Sequence, residues 1–201
     1  MSVPVATHAV ASGALRPLTV SSPSSGPTRL RVPDLLHATD QAADQVLSGR
    51  CDHLLPRGGI PESKRWFARI HGDDELDVWL ISWIPGHPTE LHDHGGSLGA
   101  LTVVSGSLNE FRWDGRGLRR RRLDAGDQAG FPLGWVHDVV WAPRPVPERA
   151  TAAGTTAFRV QPTLSVHAYS PPLTAMSYYE VTDRNRLRRQ RTELTDQPEG
   201  P

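Results

Sequence analysis

Gly86-His-Pro-Thr-Glu-Leu-His92-Asp-His94 is the stretch that decides the fold of this chain, together with Gly126-Asp-Gln-Ala-Gly-Phe-Pro132-Leu-Gly134-Trp-Val-His137. Residues two apart on a strand project from the same face, so an extended segment over 91–95 points His92 and His94 the same way. His137 follows a Pro-x-Gly turn and opens another strand-like run. Imidazole is a natural ligand for iron, copper, nickel and zinc. The two stretches therefore predict a mononuclear metal site at His92, His94 and His137.

The rest of the chain reads as one β-rich domain. Short apolar runs at 77–83, 98–104 and 107–113 predict strands, with Ser105-Gly106 as a hairpin turn. Residues 33–47 carry apolar side chains at near-helical spacing, with Thr39 as the one polar gap, and predict a helix outside the barrel. Strands without alternating helices favour an all-β double-sheet barrel over an α/β fold.

Both termini are expected to be loose. Residues 1–31 are rich in Ser, Pro, Thr, Ala and Gly, and predict a disordered tail because they can bury little apolar surface. Residues 183–201 are charged and predict a flexible C-terminal tail. The domain itself is expected to span residues 32–182.

Composition excludes several classes of function. The 201 residues include 22 basic and 22 acidic side chains, so net charge gives no reason to expect nucleic acid or an anionic membrane as a partner. The basic run at 119–122 is interpreted as a solvated hairpin edge. The single cysteine, Cys51, excludes an internal disulfide and fits a reducing compartment. No signal peptide or membrane span is evident, and we expect a cytoplasmic monomer.

The two histidine stretches resemble the sequence motifs of the cupin superfamily. The first motif, G-x5-H-x-H-x3-4-E-x6-G, is matched at Gly86, His92, His94 and Gly106, whereas its glutamate is absent because Leu98 and Gly99 stand there. The second motif, G-x5-P-x-G-x2-H-x3-N, is matched at Gly126, Pro132, Gly134 and His137, with Trp141 in place of its asparagine. The resemblance implies a double-stranded β-helix, or jelly-roll barrel, with a few N-terminal helices packed outside. Without the glutamate, a divalent ion keeps its full charge and open coordination positions.

Within the cupins, a third segment resembles the cysteine dioxygenase family. Ser165-Val-His167-Ala-Tyr169-Ser-Pro-Pro172 is similar to the S-x-H-x-Y-S-P-P stretch of these thiol dioxygenases. On a strand, Ser165, His167 and Tyr169 share one face and can form a hydrogen-bonded row that ends in a phenol. The resemblance implies that His167 orients Tyr169, which contacts substrate or oxygen. Taken alone, Tyr169 could equally be a half-buried strand aromatic.

Three further positions bear on the substrate. In the family, an arginine matching Arg69 binds the substrate carboxylate, whereas the related 3-mercaptopropionate dioxygenases tend to carry glutamine there; a solvated arginine is the structural alternative. Many family members carry a cysteine at the place of Gly99, joined to the tyrosine by a thioether. Gly99 cannot form that bond, so Tyr169 is predicted to be uncrosslinked, as in bacterial relatives. Phe67 replaces a tyrosine often found beside the arginine.

The resemblance implies an iron enzyme of cysteine catabolism. Fe(II) held by the three histidines would bind the thiolate and amine of L-cysteine and then dioxygen, and both oxygen atoms would go to sulfur to give cysteine sulfinic acid. Another small thiol, such as 3-mercaptopropionate or cysteamine, or a role as a small-molecule-binding module, remains open from the sequence. Three histidines and a water could also hold zinc. An apparent insertion at 144–157 is expected to be a surface loop near the active-site mouth.

Overall fold

Eleven strands and one α-helix build the described part of the chain, which comprises residues 29–143 and 161–198 of a computed structural model. The helix is α1 (Val32–Leu47), and a short 3-10 helix (Asp52–Leu54) follows it. The strands are β1 (Trp66–Gly72), β2 (Asp77–Trp83), β3 (Leu91–Asp93), β4 (Leu98–Ser105), β5 (Ser107–Trp113), β6 (Leu118–Asp124), β7 (Gln128–Phe131), β8 (His137–Trp141), β9 (Thr163–Ser170), β10 (Ala175–Val181) and β11 (Leu187–Leu194).

The strands form two antiparallel sheets with a shared core. The first sheet has the order β1-β2-β9-β4-β7 and the second the order β11-β10-β3-β8-β5-β6. Inward side chains of both sheets, such as Ile81 and Leu101 from the first and Leu108 and Val139 from the second, belong to one buried apolar cluster. The predicted all-β jelly roll is thus confirmed, as two facing sheets and not as a closed barrel.

Helix α1 covers the outer face of the first sheet. Asp34 in its first turn accepts a hydrogen bond from the Arg31 backbone N–H at 2.7 Å, which caps the helix. Thr39, the polar gap in the apolar stripe, is fully buried and accepts a hydrogen bond of 2.8 Å from Thr102 on β4. A Cβ added at Gly130 would come within 2.4 Å of Val32 Cγ1, so the start of the helix sits directly on β7.

Most of the predicted elements have the expected bounds. Strands β2 and β5 begin and end at the predicted residues, and β4 extends one residue beyond the predicted segment. The basic run at 119–122 lies on β6, an edge strand, as expected. The expected few N-terminal helices are one α-helix and one 3-10 turn within the described residues.

The expectation of a loose C-terminal segment is wrong for residues 187–194. This segment forms β11, which pairs antiparallel with β10. Its side chains are charged because it is an edge strand, where charge discourages pairing with other chains. Arg191 also stacks on the ring of Tyr178, 3.8 Å from its centroid. Residues 1–28 of the predicted N-terminal tail and the whole predicted insertion at 144–157 lie outside the described residues. Within the described residues, no helix has the length and apolarity to cross a membrane.

Candidate metal centre

The three predicted ligand histidines converge at the centre of the second sheet. His92 on β3 and His137 on β8 are partners in the strand register, and His94 lies one residue beyond the end of β3. Their ring centroids are 4.9 to 5.2 Å apart. One ring nitrogen from each lies within 4.8 Å of the others, and all three side chains are buried.

In His92 and His137, a hydrogen bond at Nδ1 determines which ring nitrogen is left to face the metal site. His92 Nδ1 lies 2.9 Å from the backbone oxygen of Glu90, which can only accept a hydrogen bond. Glu90 itself has a φ of 64°, a left-handed conformation that is uncommon outside glycine. His137 Nδ1 lies 3.2 Å from Oε1 of Glu110. With Nδ1 engaged, Nε2 of both rings remains for a metal.

This donor set fits a divalent transition metal. Three imidazoles that each bring one ring nitrogen within 4.8 Å of the others are a borderline-soft ligand set that suits iron, copper, nickel or zinc. Among the described residues, no carboxylate joins the group of ligand atoms. A metal held here keeps positions for small ligands, which is the requirement of a catalytic site and not of a closed structural one.

Glu110 is a residue of this site that the sequence analysis missed. Its carboxylate is buried on the inward face of β5 and accepts hydrogen bonds from Arg121 Nη2 at 2.6 Å, Arg121 Nε at 3.1 Å and Trp135 Nε1 at 3.2 Å, besides His137. Burial alone would raise the pKa of this carboxyl, but the hydrogen bond and charge of His137, the charge of Arg121 and the bond from Trp135 together lower it to about 2. One signal in the sequence could have identified Glu110. It lies two residues after the apolar Leu108 on the same strand, and this spacing predicts a charged side chain on a buried face.

The predicted row of polar side chains on β9 is present and runs toward the histidines. Ser165 Oγ lies 3.0 Å from His167 Nε2, and His167 Nδ1 lies 3.2 Å from the Tyr169 hydroxyl. All three are fully buried. The Tyr169 ring lies 5.0 Å from that of His94, so the phenol stands beside the metal centre. Trp83 extends the row, since its Nε1 donates to Ser165 Oγ at 2.7 Å.

Arg69 lies on the same face of the first sheet as His167 and Tyr169, but its side chain contacts Trp79 and Asp77. In the register of the first sheet, Arg69 pairs with Trp79, and Trp79 pairs with His167. The guanidinium stacks over the Trp79 ring at 4.5 Å and pairs with Asp77 Oδ1 at 3.5 Å. Its side chain is 44% exposed. Arg69 is therefore on the sheet face that carries Tyr169. Its guanidinium pairs with Asp77 on β2, the strand next to the one that carries His167.

Gly99 and Cys51 occupy opposite faces of the first sheet. Gly99 is the register partner of Tyr169, and an added Cβ would come within 2.9 Å of Phe131 Cδ2 and 3.2 Å of His94 Nδ1. Cys51 is buried beside Leu47 and Leu80 on the outer, helix-covered side, where burial raises the pKa of its thiol. The one cysteine therefore cannot reach Tyr169.

Asp93 differs from the residues around it, because it faces away from the metal and is nonetheless buried. It accepts hydrogen bonds from the Tyr179 hydroxyl at 2.6 Å and from the backbone N–H of Gly95 at 2.9 Å. These bonds tie β3 to β10 and fix the turn after His94. Asp93 thus holds the backbone that carries two of the three histidines.

Comparison with known proteins gives a family match over the first half of this site. The model of the family described as cysteine dioxygenase type I matches residues 60–131, which include Arg69, His92 and His94 and end before His137 and β9. Over these residues the chain is similar to cysteine dioxygenase type I, and the three-histidine cluster could hold a metal ion.

Several solved structures resemble parts of the chain. KdgF from Halomonas sp. is 18% identical, and the match covers 55% of this chain and 82% of that one with a TM-score of 0.41. An uncharacterized conserved protein with a double-stranded β-helix domain from Klebsiella pneumoniae is 18% identical over 60% of this chain and 85% of its own, with a TM-score of 0.42. A cupin superfamily protein from Desulfitobacterium hafniense is 10% identical over 55% and 80%, with a TM-score of 0.40.

Proposed function

We propose that this chain, which matches the cysteine dioxygenase type I family over residues 60–131, is an Fe(II) enzyme that oxidises L-cysteine to cysteine sulfinic acid. The reaction joins both atoms of dioxygen to the thiol sulfur, R–SH + O2 giving R–SO2H, so it needs no further reductant. The observation that carries the proposal is the buried cluster of His92, His94 and His137 beside the Tyr169 ring.

His92, His94 and His137 would hold the iron through their inward ring nitrogens. When bound, Fe(II) supplies the redox chemistry that lets dioxygen react with a thiolate. Because imidazoles that bind a metal are neutral, the metal-loaded site favours a ligand that brings a negative charge with it. A thiolate is such a ligand, and this preference supports a thiol as the substrate.

Trp83 supports one direction for the hydrogen bonds of the row that ends at Tyr169. An indole N–H can only donate, so Ser165 Oγ accepts from Trp83. Among the described residues, the acceptor for the Ser165 hydroxyl hydrogen is His167 Nε2. His167 then carries its hydrogen on Nδ1 and donates to the Tyr169 oxygen. In this arrangement the Tyr169 oxygen accepts from His167, and the role we propose for its hydroxyl is to contact substrate or oxygen beside the histidines.

Arg69 is proposed to bind the carboxylate of the substrate. A guanidinium can hold a carboxylate through two parallel hydrogen bonds. Its side chain is half-exposed, and its pairing with Asp77 at 3.5 Å is longer than a good hydrogen bond, so a substrate carboxylate can compete for it. The Trp79 ring beneath the guanidinium limits its movement to the plane of the stack.

The test is oxygen uptake by Fe(II)-loaded protein with L-cysteine, 3-mercaptopropionate and cysteamine, together with mass detection of each sulfinic acid. Uptake with L-cysteine and formation of cysteine sulfinic acid support the proposal. Preference for 3-mercaptopropionate or cysteamine overturns the substrate and the role of Arg69. Absence of oxygen uptake with all three thiols overturns the proposal that the protein is a thiol dioxygenase and favours a small-molecule-binding module.

A further inference from the structure

We infer that Glu110 is a positioning residue of the metal centre that supplies, through His137, the negative charge missing from the ligand set. The inference depends on the three-histidine metal centre and not on thiol oxidation. Metal affinity therefore tests it independently of the proposed function.

The predicted ligands include no acidic residue. The fold nevertheless brings the Glu110 carboxylate to His137 Nδ1, the ring nitrogen on the side away from the metal site. Glu110 on β5 and His137 on β8 are on adjacent antiparallel strands, and both point inward. The carboxylate oxygen Oε1 lies 3.2 Å from His137 Nδ1. A carboxylate that accepts from the outer N–H of an imidazole fixes its tautomer and makes the inner nitrogen a stronger donor to a metal.

The outer partners of the two strand histidines differ in charge. His92 donates to a neutral backbone carbonyl, whereas His137 donates to a carboxylate. Both partners orient a ring, but only Glu110 lowers the net charge around a divalent ion. Because the site is buried, this charge is weakly screened and acts at close range.

The surroundings of Glu110 are arranged to hold a carboxylate in place. Arg121 binds Oε2 through two nitrogens, and Trp135 donates to Oε1, the same atom that faces His137. The Arg112 guanidinium stacks on the Trp135 ring at 4.5 Å, which steadies the indole. Arg121 belongs to the basic run at 119–122, which was expected to be a solvated edge, and it reaches the buried Glu110 carboxylate.

Charge and orientation can be separated by substitution. Glu110→Gln keeps an oxygen that can accept from His137 Nδ1 and removes the charge. Arg121→Gln leaves the Glu110 charge and removes its counter-ion; its side chain is half-exposed, so the variant should fold. Asp124→Asn is the matched control, because Asp124 is an exposed carboxylate paired with Arg122 on the same hairpin.

The experiment measures Co²⁺ affinity by chelator competition, with the visible Co²⁺ spectrum and the melting temperature of the metal-free protein. We expect Glu110→Gln to weaken Co²⁺ binding by about 10- to 100-fold and to change the spectrum. Asp124→Asn should match the wild type, and Arg121→Gln should bind Co²⁺ at least as tightly as the wild type.

Two results overturn the inference. The first is a Co²⁺ affinity of the Glu110→Gln variant equal to that of the Asp124→Asn control. The other is Arg121→Gln that binds Co²⁺ more weakly than the wild type, which is expected if the network only braces the hairpin. If Glu110→Gln does not fold, the Arg121→Gln affinity decides the matter alone.

Discussion

Trp83 Nε1 donates a hydrogen bond of 2.7 Å to the Ser165 hydroxyl, which joins β2 to the polar row on β9. Both side chains are almost fully buried, so no water competes for this bond. Since the indole can only donate, Ser165 Oγ accepts this bond, and in the proposed arrangement the Ser165 hydroxyl donates onward to His167. A tryptophan that looks like a core residue is therefore bonded to the row that ends at the Tyr169 phenol, beside the three histidines.

Replacement of Trp83 by phenylalanine should lower turnover without weakening the metal centre. The Ser165 hydroxyl loses the donor that orients it, and the lost bond corresponds to about 1 kcal/mol, or about fivefold in kcat. Steady-state sulfinate formation and Co²⁺ titration measure the two effects. Trp66→Phe is the control, since Trp66 packs against the outer cluster. An unchanged kcat for Trp83→Phe would contradict the proposed direction of the row.

The Arg69→Gln variant should discriminate substrates by their carboxylate. Loss of a charged two-bond contact costs about 1.5 to 3 kcal/mol, so KM for L-cysteine should rise by about tenfold to a hundredfold. KM for cysteamine, which has no carboxylate, should change little. The comparison needs initial rates with both thiols, and Arg188→Gln on the exposed edge strand β11 is the control. Equal effects on both thiols would rule out carboxylate binding by Arg69.

An alanine at Gly99 should disturb the metal centre through Phe131 and His94. The added Cβ would lie 2.9 Å from Phe131 Cδ2, and crowding of this kind costs about 1 to 3 kcal/mol of folding stability. We expect a lower melting temperature and weaker Co²⁺ binding than in the wild type. Gly96→Ala is the control, because nothing lies within 4 Å of its added Cβ. If both variants bind Co²⁺ equally well, Gly99 is not needed for packing around His94.

The buried carboxyl of Glu110 should make the metal-free protein acid-sensitive. The pKa of Glu110 falls from 4.5 to about 2 in the folded protein. A lowered folded pKa contributes stability that is present above the unfolded pKa and is lost as pH falls toward the folded one. Urea unfolding of metal-free protein should thus show a steeper loss of stability between these pH values than Glu110→Gln shows. Parallel curves for the two proteins would contradict the ionised, stabilised carboxylate.

The sequence predicts the fold well because its signals are local. The short apolar runs of β2 and β5 and the turn at Ser105-Gly106 each depend on neighbouring residues, and the predicted bounds of both strands agree with the structure. Thr39 interrupts the apolar stripe of the helix. The structure explains this polar residue by its hydrogen bond with Thr102, which lies on a strand distant in the sequence. No local pattern contains that contact.

The same limit explains the errors at the site. Glu110 becomes important only because β5 pairs with β8, and this pairing joins residues far apart in the chain. The segment at 187–194 carries the composition of a solvated tail, but it pairs with β10 and contributes Arg191, which binds Glu90 at 2.9 and 3.1 Å. The histidines were found because two of them are neighbours at strand spacing and the third follows a turn with fixed residues.

The most direct test of a thiol-oxidising metal centre compares wild type and His92→Ala. Fe(II)-loaded wild type should consume oxygen with L-cysteine in step with the formation of cysteine sulfinic acid. His92→Ala should lose this uptake, because two histidines hold the metal too weakly. Loss of uptake together with loss of bound iron is the predicted result. Oxygen uptake that persists in His92→Ala, or its absence in an iron-loaded wild type, would contradict the account.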